Sequence, residues 1–283
     1  MMNIKKKENY RKQGRKYFDE MLKKYTIPAI QTIVGGREDT GLCTTSKMAY
    51  ATWATPTENC PSGSTYTEKD DVCVGCNMKK GHCTTHNVKN AYERCLKQYN
   101  RDPLEWKKAI TSLLLLGFNQ LKGNENPRIN GFRWNSSGDL QSQNHLNDMM
   151  EVCAMTPDIR YWVSTLEHRT VRDYVNTNGM IPENVNIRLS TRKVNHTPNL
   201  QLAEELSEKV DGIISTSNVI DIEKFDEYVK ENKFICPAER YKNKQGLRCE
   251  GPAFKCTFCY TGNKNVTYIK DTVVNKIQKL YTE

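Results

Sequence analysis

The sequence predicts an α/β fold built on a parallel sheet, with cysteine-rich N- and C-terminal segments flanking it. Three observations indicate this fold: a strand–helix repeat in the centre of the chain, polar residues at each strand end, and two cysteine groups of matching spacing. Strands and helices that alternate at a regular period are typical of βαβ units. We expect a single domain over residues 27–283, preceded by a basic arm over residues 1–26.

The basic arm carries nine Lys or Arg and three acidic residues, a net charge of +6 out of +9 for the chain. One interpretation is an arm that contacts nucleic-acid phosphates. The alternative is a solvated, partly helical basic tail. The chain has no run of the ~18–20 apolar residues that cross a bilayer, and its charged N-terminus does not resemble a secretory signal. We therefore expect a cytoplasmic protein without membrane association.

Residues 27–86, the first cysteine region, are rich in Thr, Gly and Cys and show little periodicity. A helix is predicted after it, because residues 88, 91, 92, 95 and 99 are apolar at helical spacing. Cys95 is then predicted to be a core residue, since buried free cysteines are common. A second helix is predicted from Asp102, with Pro103 in its first turn and Glu105 completing a capping box.

Four strands are predicted within residues 130–220. They begin at Phe132, Ile159, Val185 and Gly212, so that successive starts lie 27, 26 and 27 residues apart. Amphipathic helices are predicted between them, and the second ends on Gly179 as a C-cap. A fifth candidate strand, KFIC, ends at Cys236 and begins the second cysteine region, residues 234–262.

Hydroxyl and amide side chains follow each predicted strand. They are Asn135-Ser136-Ser137, Ser164-Thr165, Ser190-Thr191 and Ser215-Thr216-Ser217-Asn218. Ligands bind at the carboxyl ends of parallel strands, so these residues predict a polar-rimmed site. The alternative is that they begin turns and cap the next helices.

Two charged residues near the first strand are candidates for a role in this site. Asp139 could orient a ligand or act as a base, or it could simply form the turn after Gly138. Arg133 alternates with Trp134 along the strand, so one of the two points inward. An inward Arg133 needs an acidic partner or an anion, for which Asp139 and Glu167 are candidates.

The cysteines form two groups with the same intervals. Cys60, Cys73, Cys76 and Cys83 are separated by 13, 3 and 7 residues, and Cys236, Cys249, Cys256 and Cys259 by 13, 7 and 3. In each group the last cysteine lies 23 positions after the first, and the first is followed by Pro. A reducing compartment disfavours disulfides, so we expect all eight cysteines to bind metal.

The spacing favours iron–sulfur clusters over zinc. Zinc ribbons usually pair two C-x-x-C knuckles, whereas each group here has one knuckle and two loosely spaced cysteines. Iron–sulfur sites accept irregular spacing and often have Cys-Pro beside them. His82 and His86 flank Cys83 and are candidate substitute ligands or surface residues. Cys43 and Cys153 are left unassigned.

The segment from Gly131 to Thr165 resembles the gene product 88 family of phages and plasmids. The matching residues are Ser137-Gly138-Asp139, Pro157, and Tyr161-Trp162 through Thr165, together with the layout of Cys60-Pro61, Cys73/Cys76, Cys236-Pro237 and Cys256/Cys259. The resemblance spans roughly residues 28–270 and leaves out the basic arm. It implies a phage-type protein of the bacterial host cytoplasm.

The family layout resembles radical S-adenosylmethionine barrels, which implies a partial TIM-like (β/α) barrel with cysteines at its mouth. It also implies that Ser137, Gly138 and Thr165 line a cofactor site beside Asp139 as catalytic group. The chain has no C-x3-C-x2-C, which argues against reductive cleavage of S-adenosylmethionine and leaves cluster binding intact.

The sequence therefore indicates three alternative functions. The first is an iron–sulfur protein with one or two clusters, expected to be 4Fe-4S, and with redox or radical-type activity if it is an enzyme. The second is a zinc-stabilised protein that binds nucleic acid through its basic arm. The third is a structural or assembly protein whose loops are cross-linked by bound metal.

Overall fold

Five parallel strands form a sheet whose spatial order follows the chain, and the sheet curls into a half-barrel. The computed structural model describes residues 2–45, 48, 50–121, 129–231, 233–236 and 256–270. The strands are β1 (Gly131–Trp134), β2 (Arg160–Thr165), β3 (Val185–Ser190), β4 (Ile213–Ile220) and β5 (Val266–Ile269). The predicted partial (β/α) barrel is confirmed, and its first four strands lie where the repeat places them.

The fifth strand differs from the prediction. KFIC does not form it: Ile235 makes only an isolated parallel bridge to Thr267. The strand itself is β5, which pairs with β4 along its whole length. The amide of Cys236 still donates to the Thr267 carbonyl over 2.9 Å, so the start of the second cysteine region lies against the outer edge of β5.

Residues 51–55 extend the sheet beyond β1. The Trp53 amide donates to the Arg133 carbonyl over 3.1 Å, and the Thr55 amide donates to the Ser137 carbonyl over 3.0 Å. This segment runs parallel to β1, with Thr52 bridged to Arg133. It therefore leads the chain to the carboxyl ends of the strands just before Cys60.

The helix ends at Asp102 and Gly179 agree with the sequence, but the predicted capping box is not closed, because the Glu105 carboxylate accepts from Lys24 and Tyr25 and the Asp102 amide donates to Gln98. The helices are α1 (Ile4–Lys24), α2 (Ile27–Val34), α3 (His86–Arg101), α4 (Pro103–Leu115), α5 (Gln143–Met155), α6 (His168–Asn178), α7 (Leu200–Ser207), α8 (Phe225–Lys230) and α9 (Phe258–Thr261). The Asp102 carboxylate accepts from the Glu105 amide over 2.9 Å and begins α4. Gly179 ends α6 with a φ of 58°, in the left-handed region that glycine tolerates.

The core lies between the sheet and helices α4 and α5 and is rich in aromatic rings. Trp53 and Trp106 are fully buried, with ring centroids 5.2 Å apart. The Trp134 indole donates to the sulfur of Cys153 over 3.3 Å. Cys95 is also fully buried, with its sulfur 3.8 Å from that of Cys43. The prediction that Cys95 is a core residue is confirmed, and the previously unassigned Cys43 and Cys153 are buried core thiols as well.

Residues 4–24 form a helix that packs on the domain, whereas the sequence suggested an arm outside it. Gly14 and Met21 of α1 are buried, and Gly14 lies against Met155 of α5. The Glu20 carboxylate binds the Lys108 ammonium of α4 at 2.6 Å. The apolar and small residues of α1 recur at helical spacing, so one face docks while the basic residues lie on the other.

Replacing Gly14 by Leu tests the docking of α1. A side chain at this position would begin 2.9 Å from the Met155 carbonyl oxygen, so the helix must shift. We expect the free energy of unfolding to fall by about 1–3 kcal/mol, measured by urea denaturation. Lys16→Leu, on the exposed face of the same helix, is the control. Equal losses in the two variants would mean that α1 does not pack as described.

Candidate metal centre and strand-end site

The carboxyl ends of the strands bring their hydroxyl groups together at one edge of the sheet. The Ser190 hydroxyl lies 2.9 Å from that of Ser164 on one side and 2.9 Å from that of Ser217 on the other. Ser164 and Ser190 lie at the ends of β2 and β3, whereas Ser217 lies within β4, so the prediction that residues 215–218 follow the fourth strand is wrong: that strand continues to Ile220. Parallel pairing in chain order therefore produces a continuous polar row from residues far apart in sequence.

Asp139 lies buried at this edge and joins two strand-end loops. Its carboxylate accepts from the Thr165 hydroxyl over 2.5 Å, from the Leu166 amide over 2.9 Å and from the Leu140 amide over 2.7 Å. Burial raises the pKa of Asp139 to about 6, although these three donors oppose the shift. The carboxylate thus fixes the loop after β1 to the loop after β2.

The predicted cofactor-binding residues lie around Asp139, but they differ in whether their polar groups already have hydrogen-bond partners within the protein. The Thr165 hydroxyl is engaged twice, since it also accepts from the Glu167 amide over 3.0 Å. The Ser137 hydroxyl is buried and has no hydrogen-bond partner among the described residues. Gly138 has a φ of 75°, and a Cβ there would lie 1.8 Å from the Thr55 hydroxyl oxygen, so only glycine fits.

Two further polar residues at this place were not predicted as site residues. The Thr55 hydroxyl and both side-chain atoms of the Asn135 amide are buried without a partner among the described residues. Asn135 also has a φ of 48°, a conformation that Asn adopts more readily than most residues. Asn135 was recognised only as part of a polar strand end, and Thr55 lies in a segment without periodicity.

The loop that carries the first cysteine group is attached to the strand ends by charged residues. The Glu167 carboxylate accepts from the Ser62 amide and the Ser62 hydroxyl, both over 2.8 Å. The Asp71 carboxylate binds the Arg192 guanidinium at 2.6 Å, in the loop after β3. Sequence spacing gave no indication of these two attachments, because each joins residues more than 100 positions apart.

The first cysteine group lies partly buried at this edge. Cys60 and Cys73 both border Gly63, where an added Cβ would lie 2.8 Å from the Cys73 sulfur and 3.3 Å from the Cys60 Cβ. The Cys76 amide donates to the Cys73 carbonyl over 3.3 Å in the C-x-x-C turn. The Cys83 sulfur lies 3.9 Å from that of Met78. These four cysteines are free thiols.

Burial raises the pKa of three of these thiols, those of Cys60, Cys73 and Cys83, and makes them poor acids without a bound cation. It raises the pKa of Cys60, and the neighbouring Asp139 raises it further. Burial likewise raises the pKa of Cys73 to about 12. The flanking histidines are exposed, and the His86 ring is 2.9 Å from the Asn90 amide nitrogen. A bound metal is what would keep such thiols deprotonated.

The described cysteines of the second group, Cys236, Cys256 and Cys259, lie on the concave face of the sheet and at its β5 edge. Cys259 is in α9, with its sulfur 3.6 Å from the Tyr268 hydroxyl of β5. Burial raises the pKa of Cys259, and the Arg188 guanidinium opposes the shift. Cys236 is buried and Cys256 partly buried, while Cys249 lies outside the described residues.

Arg188 fixes α9 and the turn after it to the sheet. It is fully buried on β3. Its guanidinium donates to the carbonyls of Phe258 and Gly262, each over 2.8 Å, and to that of Lys264 over 2.9 Å. These bonds place the second C-x-x-C beside the strands.

Arg133 does not pair with Asp139 or Glu167 as considered from the sequence. Its guanidinium lies 4.2 Å from the centre of the Trp162 ring, its register neighbour on β2. The two carboxylates instead accept from Thr165, Leu166 and Ser62. Arg133 therefore points to the concave face, and Trp134 points to the core.

The donor set fits a thiolate-bound metal, although the side chains do not converge on one. Within the part of the chain that the structure describes, no three His, Cys, Asp or Glu side chains form a group that could hold a metal ion. The described cysteines of each group nevertheless have partly or fully buried sulfurs and lie on segments fixed to the sheet. Sulfur is the ligand of iron–sulfur clusters and structural zinc.

A family model described as gene product 88 matches residues 5–262 of the chain. The match includes α1, which the resemblance seen in the sequence left out. No curated protein and no solved structure matches the chain, so the likeness to radical S-adenosylmethionine barrels stays a prediction. None of the helices in the described residues has both the length and the apolar character to span a membrane. The chain belongs to the gene product 88 family.

Proposed function

We propose that this protein binds two iron–sulfur centres, one in each cysteine group. The observation that carries the proposal is the repeated cysteine pattern, whose two copies lie on segments anchored separately to one half-barrel. Glu167 and Arg192 anchor the first copy at the strand ends, and Arg188 anchors the second on the concave face. Separate anchors favour two centres over one shared centre.

The chain would hold such a centre through Cys60, Cys73, Cys76 and Cys83 in the first group and Cys236, Cys249, Cys256 and Cys259 in the second. A cluster supplies electron transfer or a Lewis-acid site when it is bound. The partial burial of the described sulfurs restricts the access of water to them. A reducing cytoplasm would keep these thiols available as ligands. Zinc remains the alternative metal.

We further propose that the strand ends beside the first cysteine group bind a polar ligand. Ser137, with Asn135 and Thr55, offers buried hydrogen-bonding atoms that a polar ligand would satisfy. Leaving such atoms unsatisfied costs about 1–3 kcal/mol each. Gly138 allows the loop after β1 to pack closely on Thr55. Thr165 orients Asp139, whose pKa near 6 suits proton exchange close to neutral pH.

A second candidate function is nucleic-acid binding through α1. The side chains of Arg11, Lys12, Arg15, Lys16 and Lys23 line one open groove on its outer face, together with Asp19 and Glu20. No carboxylate among the described residues lies within ion-pair distance of Arg11, Arg15 or Lys23. Because α1 is docked on α4 and α5, these cations form a fixed stripe that suits a phosphate backbone.

Metal and acid-labile sulfide analysis of anaerobically purified protein tests the proposed centres. Changing Cys73 and Cys76 together to Ser should remove about half of the iron and sulfide, because the second group keeps its own centre. Cys153→Ala removes a buried thiol that belongs to neither group and is the control. Bound zinc in place of iron would overturn the iron assignment. Complete loss of iron from the double variant would favour one shared centre.

The salt dependence of binding to duplex DNA or RNA tests the basic face of α1. Changing Arg11, Arg15 and Lys23 to Glu should reduce the slope of log affinity against log salt by about 3, since each phosphate contact contributes ~0.9. The matched control changes Lys89, Lys97 and Lys230 to Glu, three exposed residues elsewhere. Equal effects of the two triple variants would mean that the basic face of α1 does not bind nucleic acid.

The pH dependence of stability tests the environment of Asp139. Its pKa is raised from 3.8 to about 6 in the folded protein, so unfolding releases its proton between these values. The stability that wild type has relative to Asp139→Asn is therefore greatest below pH 3.8 and falls as the pH rises to about 6. Urea denaturation at pH 3.5, 5 and 7 measures this difference. A difference that grows with pH would contradict the raised pKa.

A further inference from the structure

The concave face of the sheet carries two arginines without a carboxylate partner among the described residues. Arg188 is fully buried and its donors bind only backbone carbonyls, including that of Thr216 over 3.2 Å. The Nε of Arg188 has no hydrogen-bond partner in this part of the chain. Carbonyls satisfy the N–H groups but do not neutralise the charge.

Arg133, on β1, is half-buried and also lacks a carboxylate partner among the described residues. Its guanidinium lies over the Trp162 ring, its Nη1 is 3.8 Å from the Met48 sulfur, and its Nε is buried without a hydrogen-bond partner among the described residues. A ring and a thioether stabilise a cation weakly. Met48 and Trp162 belong to the same apolar cluster as Tyr260, against which Cys259 packs. Arg133 and Cys259 therefore share their neighbours.

A buried charge is costly unless an opposite charge lies close to it. Among the described residues, Cys259 lies near both arginines and can supply negative charge, since Arg188 fixes the turn that carries it and Cys259 packs on the cluster around Arg133. Four thiolates around a zinc ion or a 4Fe-4S cluster carry net negative charge. The first group has the opposite surroundings, because Asp139 and Asp71 lie near its sulfurs.

We propose that Arg133 and Arg188 are the countercharges of an anionic, thiolate-bound metal centre at the second cysteine group. Arg188 also positions the C-x-x-C of that centre by binding the carbonyls around it. The inference rests on the proposed function of the second group and adds that the concave face is built for a centre of net negative charge. Both arginines are positioning residues, since neither is a metal ligand.

Anaerobic titration with Co²⁺ tests this proposal in a variant whose first group is removed by changing Cys60, Cys73, Cys76 and Cys83 to Ala. The thiolate-to-cobalt absorption then reports the second group alone. Arg133→Gln should weaken Co²⁺ binding about 10- to 100-fold, as loss of residues that support metal ligands usually does. It should also raise the pH at which half of the cobalt binds, because the thiolates lose a stabilising cation.

Three further variants make the result specific. Arg133→Lys keeps the charge and should retain most of the affinity, and Arg160→Gln, at an exposed position of β2, should leave it unchanged. Arg188→Lys should keep the charge but lose the several guanidinium hydrogen bonds that position the turn. Should that variant fail to fold, the Arg133 variants still decide the matter.

Two outcomes separate this inference from the function on which it rests. Unchanged affinity and pH dependence in Arg133→Gln, with binding abolished in a Cys256→Ser, Cys259→Ser variant, would overturn only the countercharge role. Binding that survives loss of both cysteines would remove the second group as a metal site and the inference with it.

Discussion

Parallel pairing of the strands in chain order is the constraint on which the rest of this structure depends. Each strand must return to the same end of the sheet, so every loop after a strand opens at one edge. Asp139, Thr165, Ser190 and Ser217 meet there, although about 80 residues separate the first from the last. Residues 51–55 join the same sheet beside β1 and deliver the first cysteine group to that edge.

Charged side chains then attach the two cysteine regions to this frame. Glu167 and Arg192 hold the loop of Cys60 and Cys73 to the strand ends, while Arg188 holds the turn of Cys259 to the concave face. The bonds of Glu167 and Arg188, which are buried, are expensive to break, because each leaves a desolvated charge behind. The cysteine segments have little regular structure of their own, and these contacts fix their place.

Much of the scaffold was predictable because its signals are local. The 26- to 27-residue period placed β1 to β4, and the Asp102 cap and Gly179 marked helix ends. The fifth strand was misplaced because β5 lies beyond the second cysteine region, outside the period. The docking of α1 was not predicted, because the many basic residues of this segment obscure the small buried face formed by Gly14 and Met21. Thr55, Glu167 and Arg188 act through partners distant in sequence, which no spacing rule reveals.

The proposed function depends most on iron–sulfur clusters in the paired cysteine groups. X-ray absorption spectroscopy at the iron edge of anaerobically purified wild-type protein measures this most directly. We predict a first coordination shell of sulfur alone, together with the iron–iron scattering that only a cluster produces. Iron bound by nitrogen or oxygen, or zinc bound by four sulfurs in protein without iron, would contradict the account.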